Sequence, residues 1–273
     1  MKNLGILLFI CLICQSCIVI STGGKNKNAV GNNYEKVSGK GKVIGEVKEY
    51  SGFNKLSLFA PVKVKIVKGD TYSVNIAGHE NLVSLLNIEV KNKTLKIDTE
   101  KNYEFTDDVK VLIQMPIALQ KMDVGSLCQV SVGEVIDQDK FEMNATGVSR
   151  SNIEKLFVHD IDLNISGVSK VDIMSLEGKK LSLNLSGVSE AKIDGKTVDL
   201  SLEMSGVSKG FLKELEAENV DCRMSGVSDC EMRASQVLKA DISGVSKLIY
   251  SGDPSKINTN ASGKSMVKKI SKE

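Results

Sequence analysis

A five-residue phrase recurs through the second half of the chain, and it limits the fold more than any other feature. It reads Ala-Thr-Gly-Val-Ser at 145–149, Ile-Ser-Gly-Val-Ser at 165–169 and Leu-Ser-Gly-Val-Ser at 185–189. It returns as Met-Ser-Gly-Val-Ser at 204–208 and 224–228, and as Ile-Ser-Gly-Val-Ser at 242–246. A weaker copy is Ala-Ser-Gly-Lys-Ser at 261–265, and a degenerate first copy is Val-Gly-Ser-Leu-Cys at 124–128, with Gly and Ser exchanged. The repeated glycines are Gly147, Gly167, Gly187, Gly206, Gly226, Gly244 and Gly263, so neighbouring copies lie 18 to 20 residues apart. A fixed period of this length marks a stacked repeat architecture.

Between the phrases the apolar residues alternate. Leu163, Ile165, Val171 and Ile173 share one parity, with Asn164, Lys170 and Asp172 between them; Leu181, Leu183, Leu185, Ala191 and Ile193 do the same. Period two means strands with one buried face. A unit of about 20 residues then holds two short strands and two turns. The Ser-Gly phrase suits the tight turn, because glycine accepts backbone angles closed to other residues. The second turn varies, as in Glu177-Gly178-Lys179-Lys180 and Asp194-Gly195-Lys196, and reads as an exposed loop. One unit cannot bury its apolar face alone, so the units must stack in register and form columns of like residues. The fold class is therefore all-β, a β-solenoid with ~20-residue coils. Eight coils at ~4.8 Å give a rod roughly 35 Å long.

Composition agrees. Apolar residues make up 41% of 273, enough for a core, while aromatics are 4% and Trp is absent, so that core rests on Val, Ile, Leu and Met. Lys and Arg number 36 against 34 acids. This near-neutral balance gives no electrostatic case for nucleic acid.

The first twenty residues read as an address. Lys2 is a positive n-region, Leu4 to Ile13 is an apolar run, and Cys14-Gln15-Ser16-Cys17 follows. This is the pattern of a secretory signal peptide over 1–16, too short in its apolar run for the ~20 residues of a membrane span. Cys17 after a small residue resembles a bacterial lipobox, which implies acylation of Cys17 and a partner in the lipid bilayer. The alternative is ordinary cleavage before Cys17. Ile18 is not the Asp that resembles an inner-membrane retention signal, so the expected location is the outer membrane, with the exposed side undetermined. Residues 17–44 then comprise the lipid anchor and a tether, rich in Gly, Asn, Ser and Lys over 21–42.

Residues 45–123 form an N-terminal β region. Candidate strands are Lys55–Phe59, Val62–Val67, Tyr72–Ala77, Asn87–Lys91, Thr94–Asp98, Val109–Met115 and Ala118–Val124, with one short helix within His79–Leu86. They read either as earlier coils of the same solenoid, the favoured reading, or as a separate sheet; the solenoid repeats run through 124–273. The N-terminal segment is expected to cover one end of the stack, and Lys268, Lys269 and Lys272 to blunt the other.

At this point the residues resemble a known family. Tyr50-Ser51-Gly52-Phe53-Asn54-Lys55-Leu56, the Val-x-Val-x-Ile-x-x-Gly-Asp stretch ending at Asp70, and Asn81-Leu82 followed by Ile88-Glu89-Val90 are similar to the front of the head GIN adhesins of Bacteroidetes. The Ser-Gly repeats and Tyr250-x-Gly252-x-Pro254 are similar to the back half. The resemblance implies a right-handed parallel β-helix, a role in adhesion, assembly as a homo-oligomer (a trimer) and no established activity. This chain departs in Ser149, Ser169 and Ser189, where a second Gly is common.

Several residues merit a functional reading beside a plain one. Asn144, Asn164 and Asn184 share a column continued by Glu203, Arg223, Asp241 and Asn260. They are a candidate binding ladder for a host or envelope glycan or protein, or else stacked amides that satisfy one another. Their Asn-x-Ser/Thr triplets follow from the repeat and do not signal glycosylation. Val148, Val168, Val188, Val207, Val227 and Val245 form a second column, either an outward apolar stripe or residues tucked into the corner. Cys222 and Cys230 fall in inward columns, as core thiols or as a disulfide within one coil; Cys128 takes a Ser-column position. His159-Asp160 is a lone pair, and Glu190, Asp229 and Glu231 do not make a dense acidic patch. Beyond the signal segment, where Cys11, Cys14 and Cys17 are each three residues apart, no Cys-x-x-Cys occurs, and no phosphate loop or metal motif appears, so no catalytic residue, metal or cofactor is expected. The leading expectation is a non-enzymatic envelope lipoprotein that binds through stacked ladders. The alternatives are a periplasmic structural or assembly solenoid and, less favoured, a carbohydrate-active β-helix.

Overall fold

The computed structural model describes residues 34–116 and 119–271, and it is 68% strand and 2% helix, so the core is built almost wholly by strands. The signal peptide and Cys17 lie outside the described residues. The strands form a parallel β-solenoid of about 7 turns, spaced about 20 residues apart.

The front of the chain contributes β1 (Glu35–Val37), β2 (Val43–Lys48), β3 (Lys55–Phe59), β4 (Lys63–Lys68) and β5 (Ser73–His79). After the single-turn helix α1 (Glu80–Val83) come β6 (Leu86–Lys91), β7 (Thr94–Thr99), β8 (Tyr103–Phe105), β9 (Lys110–Met115) and β10 (Lys121–Val124). The repeats follow as β11 (Gln129–Ala145), β12 (Arg150–Ile165), β13 (Lys170–Leu185), β14 (Glu190–Met204), β15 (Lys209–Met224) and β16 (Asp229–Ile242). The chain closes with β17 (Lys247–Ser251), β18 (Lys256–Ala261) and β19 (Met266–Lys269).

Successive repeats pair in parallel, residue on equivalent residue: Asn144 on Asn164, Leu163 on Leu183, Leu185 on Met204. The alternation read from the sequence puts Leu181, Leu183 and Leu185 inside, and the same columns stay buried along the stack. One expectation fails in part. The second connection in the coils from β11 to β16 is exposed, as at Glu177, Lys179 and Lys196, but it is not a loop, because the ladder runs through it. Glu177 pairs with Phe157 and Lys196, and β13 continues from Lys170 to Leu185 without a break. Stacked bends bond to one another just as straight strands do, and the irregularity survives as register shifts, as between Ile136 and Gln138, between Ile173 and Leu176, between Lys192 and Gly195 and between Leu212 and Glu216.

The Ser-Gly corner is therefore the one break in each of these coils, and even it is bonded to its neighbours. Val168 N–H donates to Gly147 O at 2.7 Å, Val188 to Gly167 at 2.7 Å, and Val207 to Gly187 at 2.7 Å. Each repeat glycine sits at φ between 64° and 76°. A Cβ on Gly187 would lie 2.7 Å from Gly167 O, and one on Gly206 2.5 Å from Gly187 O. Both the backbone angle and the close approach exclude a side chain. The degenerate first corner is a corner too, but Ser126 (φ 51°) and Leu127 (φ 63°) take left-handed angles without glycine.

The front segment continues the solenoid only in part. β3 and β4 form a coil, with β7 and β9 stacked in parallel on one side and β10 and β11 on the other. β2, β5 and β6 run antiparallel: β5 lies between β2 and β9, and β6 pairs with β7. Alternating strands cannot distinguish these arrangements, since both bury one face. Leu82 and Val83 of α1 join the core, so the antiparallel strands and the helix cap this end. At the opposite end every residue of β18 is exposed. Lys269 there reaches Asp253 at 2.7 Å, while Lys272 lies outside the described residues.

The tether expected through 44 is also shorter than read. β1 pairs with β8, and the loop after it is clamped by side chains. Lys40 N–H donates to Asn81 Oδ1 at 2.6 Å, and Asn81 Nδ2 donates to Ser38 O at 2.9 Å. Gly39 N–H donates to Asp107 Oδ2 at 2.8 Å, and that bond with the Thr106 hydroxyl holds the Asp107 carboxyl below its usual range. Glycine- and lysine-rich composition looks like linker, but partners distant in sequence fix it.

Two substitutions test the corner. Gly187→Val should cost about 3 kcal/mol or more, from the left-handed angle and the blocked carbonyl, and should melt adjacent coils together. Unchanged circular dichroism and melting would refute this account of the turn. Ser126→Gly should instead stabilise, by ~0.5–1 kcal/mol, and raise the melting temperature by a few degrees.

Candidate functional site

The outer surface beside the corner is a set of ladders, each fixed by the stacking. On one side run the candidate amides. Asn144 Nδ2 donates to Asp123 Oδ1 at 2.6 Å, Asn164 Nδ2 to Asn144 Oδ1 at 3.0 Å, and Asn184 Nδ2 to Asn164 Oδ1 at 2.8 Å. The column continues as an ion pair, with Arg223 Nη1 3.1 Å from Glu203 Oε1. The amides are half-buried and satisfy one another. Asn164 and Asn184 each keep one N–H and at least one carbonyl lone pair for a ligand, since a primary amide offers two of each, whereas Asn144 spends its second N–H on Glu142 Oε1 at 3.2 Å and keeps only a carbonyl lone pair.

Next to this column the alternating pattern carries charge. Lys121 Nζ lies 2.6 Å from Glu142, whose carboxyl is held low by that bond and by Asn144, while the same bond holds the Lys121 ammonium high. On the other side of the corner Lys170 meets Glu190 at 2.5 Å, and this bond raises the Lys170 pKa.

The valine column stands on the corner itself. Val148, Val168, Val188, Val207, Val227 and Val245 are 44% to 57% exposed, so they are not tucked in. The inside of the corner is taken by the following residue of each phrase. Ser149, Ser169, Ser189, Ser208, Ser228 and Ser246 are all buried, and a valine would not fit there as well. Ser149 Oγ donates to Ser169 Oγ at 3.1 Å; further on, Ser228 and Ser246 hydroxyls donate to the carbonyls of Ser225 and Ser243, each at 2.8 Å. This buried hydroxyl column was not read as a ladder from the sequence. Its signal was the constancy of Ser after Val, where a purely apolar corner would have varied.

The cysteines are core residues. Cys128 occupies the Ser column, and Cys222 and Cys230 are free thiols in inward columns, not a disulfide. Burial pushes the Cys128 and Cys222 thiols up to about 12, and the Cys230 thiol also rises. Such thiols are poor nucleophiles. His159 Nδ1 lies 2.9 Å from Asp160, with both side chains about half exposed. Among the described residues no group of three or more His, Cys, Asp or Glu is placed to hold a metal ion, and no helix is long and apolar enough to cross a membrane.

The stack and its ladders define a class: a parallel β-solenoid that presents one surface motif many times over. More closely, the chain belongs to the family described as "Putative auto-transporter adhesin, head GIN domain", whose model matches residues 52–254. Solved structures share the fold. A putative adhesin from Parabacteroides distasonis has a TM-score of 0.77 at 20% identity, covering 86% of this chain and 100% of its own. A putative lipid binding protein from the same species gives 0.74 at 17%, again over 86% and 100%. A putative adhesin from Bacteroides fragilis gives 0.66 at 21%, with the same coverage. No curated protein matches the chain.

Burial of the thiols has a direct readout. Cys128, Cys222 and Cys230 should resist alkylation in the folded protein at pH 8 and react fully in denaturant, as mapped by mass spectrometry. Rapid labelling of Cys222 or Cys230 without denaturant would contradict the packing described here.

Proposed function

We propose that the chain is an exported, lipid-anchored envelope protein that acts as a non-catalytic adhesin. Its partner would be a glycan or protein of the host or the envelope, held along the polar face beside the corner. The amide ladder carries this reading. Asn144, Asn164 and Asn184 are ordered by one another before any ligand arrives, one coil apart, with hydrogen-bonding capacity left over. A repeating ligand could engage several levels at once, and weak contacts at each level would sum to useful avidity. Family membership supports the reading, and the lipobox-like Cys17 supplies the anchor.

The exposed valine column favours a second reading, an assembly protein that packs side by side in the envelope. Location separates the two. Protease shaving and antibody labelling of intact cells should detect the native chain, and Cys17→Ala should abolish the cell-bound signal. Labelling that appears only after the outer membrane is opened would exclude the adhesin and leave the assembly reading.

A further inference from the structure

The corner has two flanks, and their charges match across it. Three residues before each repeat glycine and three after it lie the outward residues on either side of the ridge. In the upper coils these are Glu203 with Lys209, Arg223 with Asp229, and Asp241 with Lys247. Each charged flank position thus carries the opposite sign to its counterpart in the same coil. In the three preceding coils the first flank is Asn144, Asn164 or Asn184, which is neutral and cannot repel Arg150, Lys170 or Glu190. Glu203 and Arg223 pair with each other in their own chain, and Arg223 also reaches Asp221, but among the described residues Lys209, Asp229, Asp241 and Lys247 have no ion-pair partner within 4.0 Å, although Asp241 accepts a long bond from Asn260.

We infer that the valine ridge docks on a second copy of this chain, side by side, with both rods pointing the same way. Rotation about an axis along the ridge brings the first flank of one copy to the second flank of the other, at the same level. Glu203 then faces Lys209, Arg223 faces Asp229, and Asp241 faces Lys247, with no like charges opposed at any level. The six valines meet their own counterparts and are removed from water. The antiparallel alternative places each flank against itself, inverted. Centred between Val188 and Val207, it would set Lys170 against Asp229 and Glu190 against Lys209 but Arg150 against Lys247, two cations, a clash that the parallel pairing does not have. Complementary charge sets orientation and register more than strength, and here it selects the parallel one. This inference does not depend on the ligand reading above.

Single cysteines on the ridge report the register. The full chain is purified in a non-ionic detergent and oxidised, with the unaltered chain as control for its N-terminal cysteines. Val188→Cys alone and Val207→Cys alone should each give a covalent dimer, because identical levels meet. Mixing the two variants should add little 188-to-207 product. Association through the N-terminal segment would not select a level, so it is distinguishable. Val207→Lys should abolish crosslinking at Val188→Cys without changing the melting temperature. Asp241→Lys and Lys247→Glu should each reduce the yield by about threefold or more, and the two together should restore it. Absence of crosslinks, a dominant 188-to-207 product, or a double variant no better than the singles would each overturn the proposal.

Discussion

The solenoid depends on one hydrogen bond repeated from Val168 to Val245 and again at Lys264, from the N–H that follows each glycine to the glycine carbonyl of the coil before it. The bond holds the corners as close as the strands, so the ladder closes over a turn that would otherwise splay. That closeness is what excludes a Cβ: the carbonyl it would strike is the acceptor itself. Glycine is fixed here by the neighbouring coil as much as by its own φ angle. The first corner shows the contrast. Ser126 has no preceding repeat corner stacked beneath it, and there a left-handed serine survives.

In-register stacking has a second consequence. Any outward residue meets its equivalents above and below at ~4.8 Å, so a column of one charge would repel itself along its length. The chain limits this in two ways, although Arg150 stacks on Lys170 and Lys63 on Lys110. Some columns alternate sign, as in Lys170, Glu190, Lys209, Asp229 and Lys247. Others use amides, which donate to one neighbour and accept from the next, as Asn164 does. Many surface ion pairs here are therefore requirements of the stack. Exposed pairs contribute little stability individually; their value is in what they prevent.

Period, glycine corners and inward columns were legible because each rests on local chemistry repeated many times. Leu163, Leu183 and Leu202 declare their face by parity alone. Three features were not legible. The antiparallel cap uses the same alternation as the coils, so β5 and β9 look alike in sequence although one opposes the direction of the other. The clamp of Asn81 and Asp107 on residues 38–40 joins segments tens of residues apart, which no local pattern reports. The orientation of Val188 turned on whether the corner keeps or shifts the strand phase. That was settled by which of two adjacent residues, valine or serine, fits inside.

The same constraint shapes what such a surface can do. A parallel solenoid lays its outward groups in lines one level apart, while the buried thiols are sealed in the core. Lines of like groups suit partners that are themselves periodic, whether a polymer lying along the amides or another rod lying along the valines. The amide face and the valine ridge adjoin at the corner, so a copy seated on the ridge would narrow access to the amides beside it. Self-association and ligand binding would then compete for neighbouring surface, and the balance between them would be set by how densely the rods are packed.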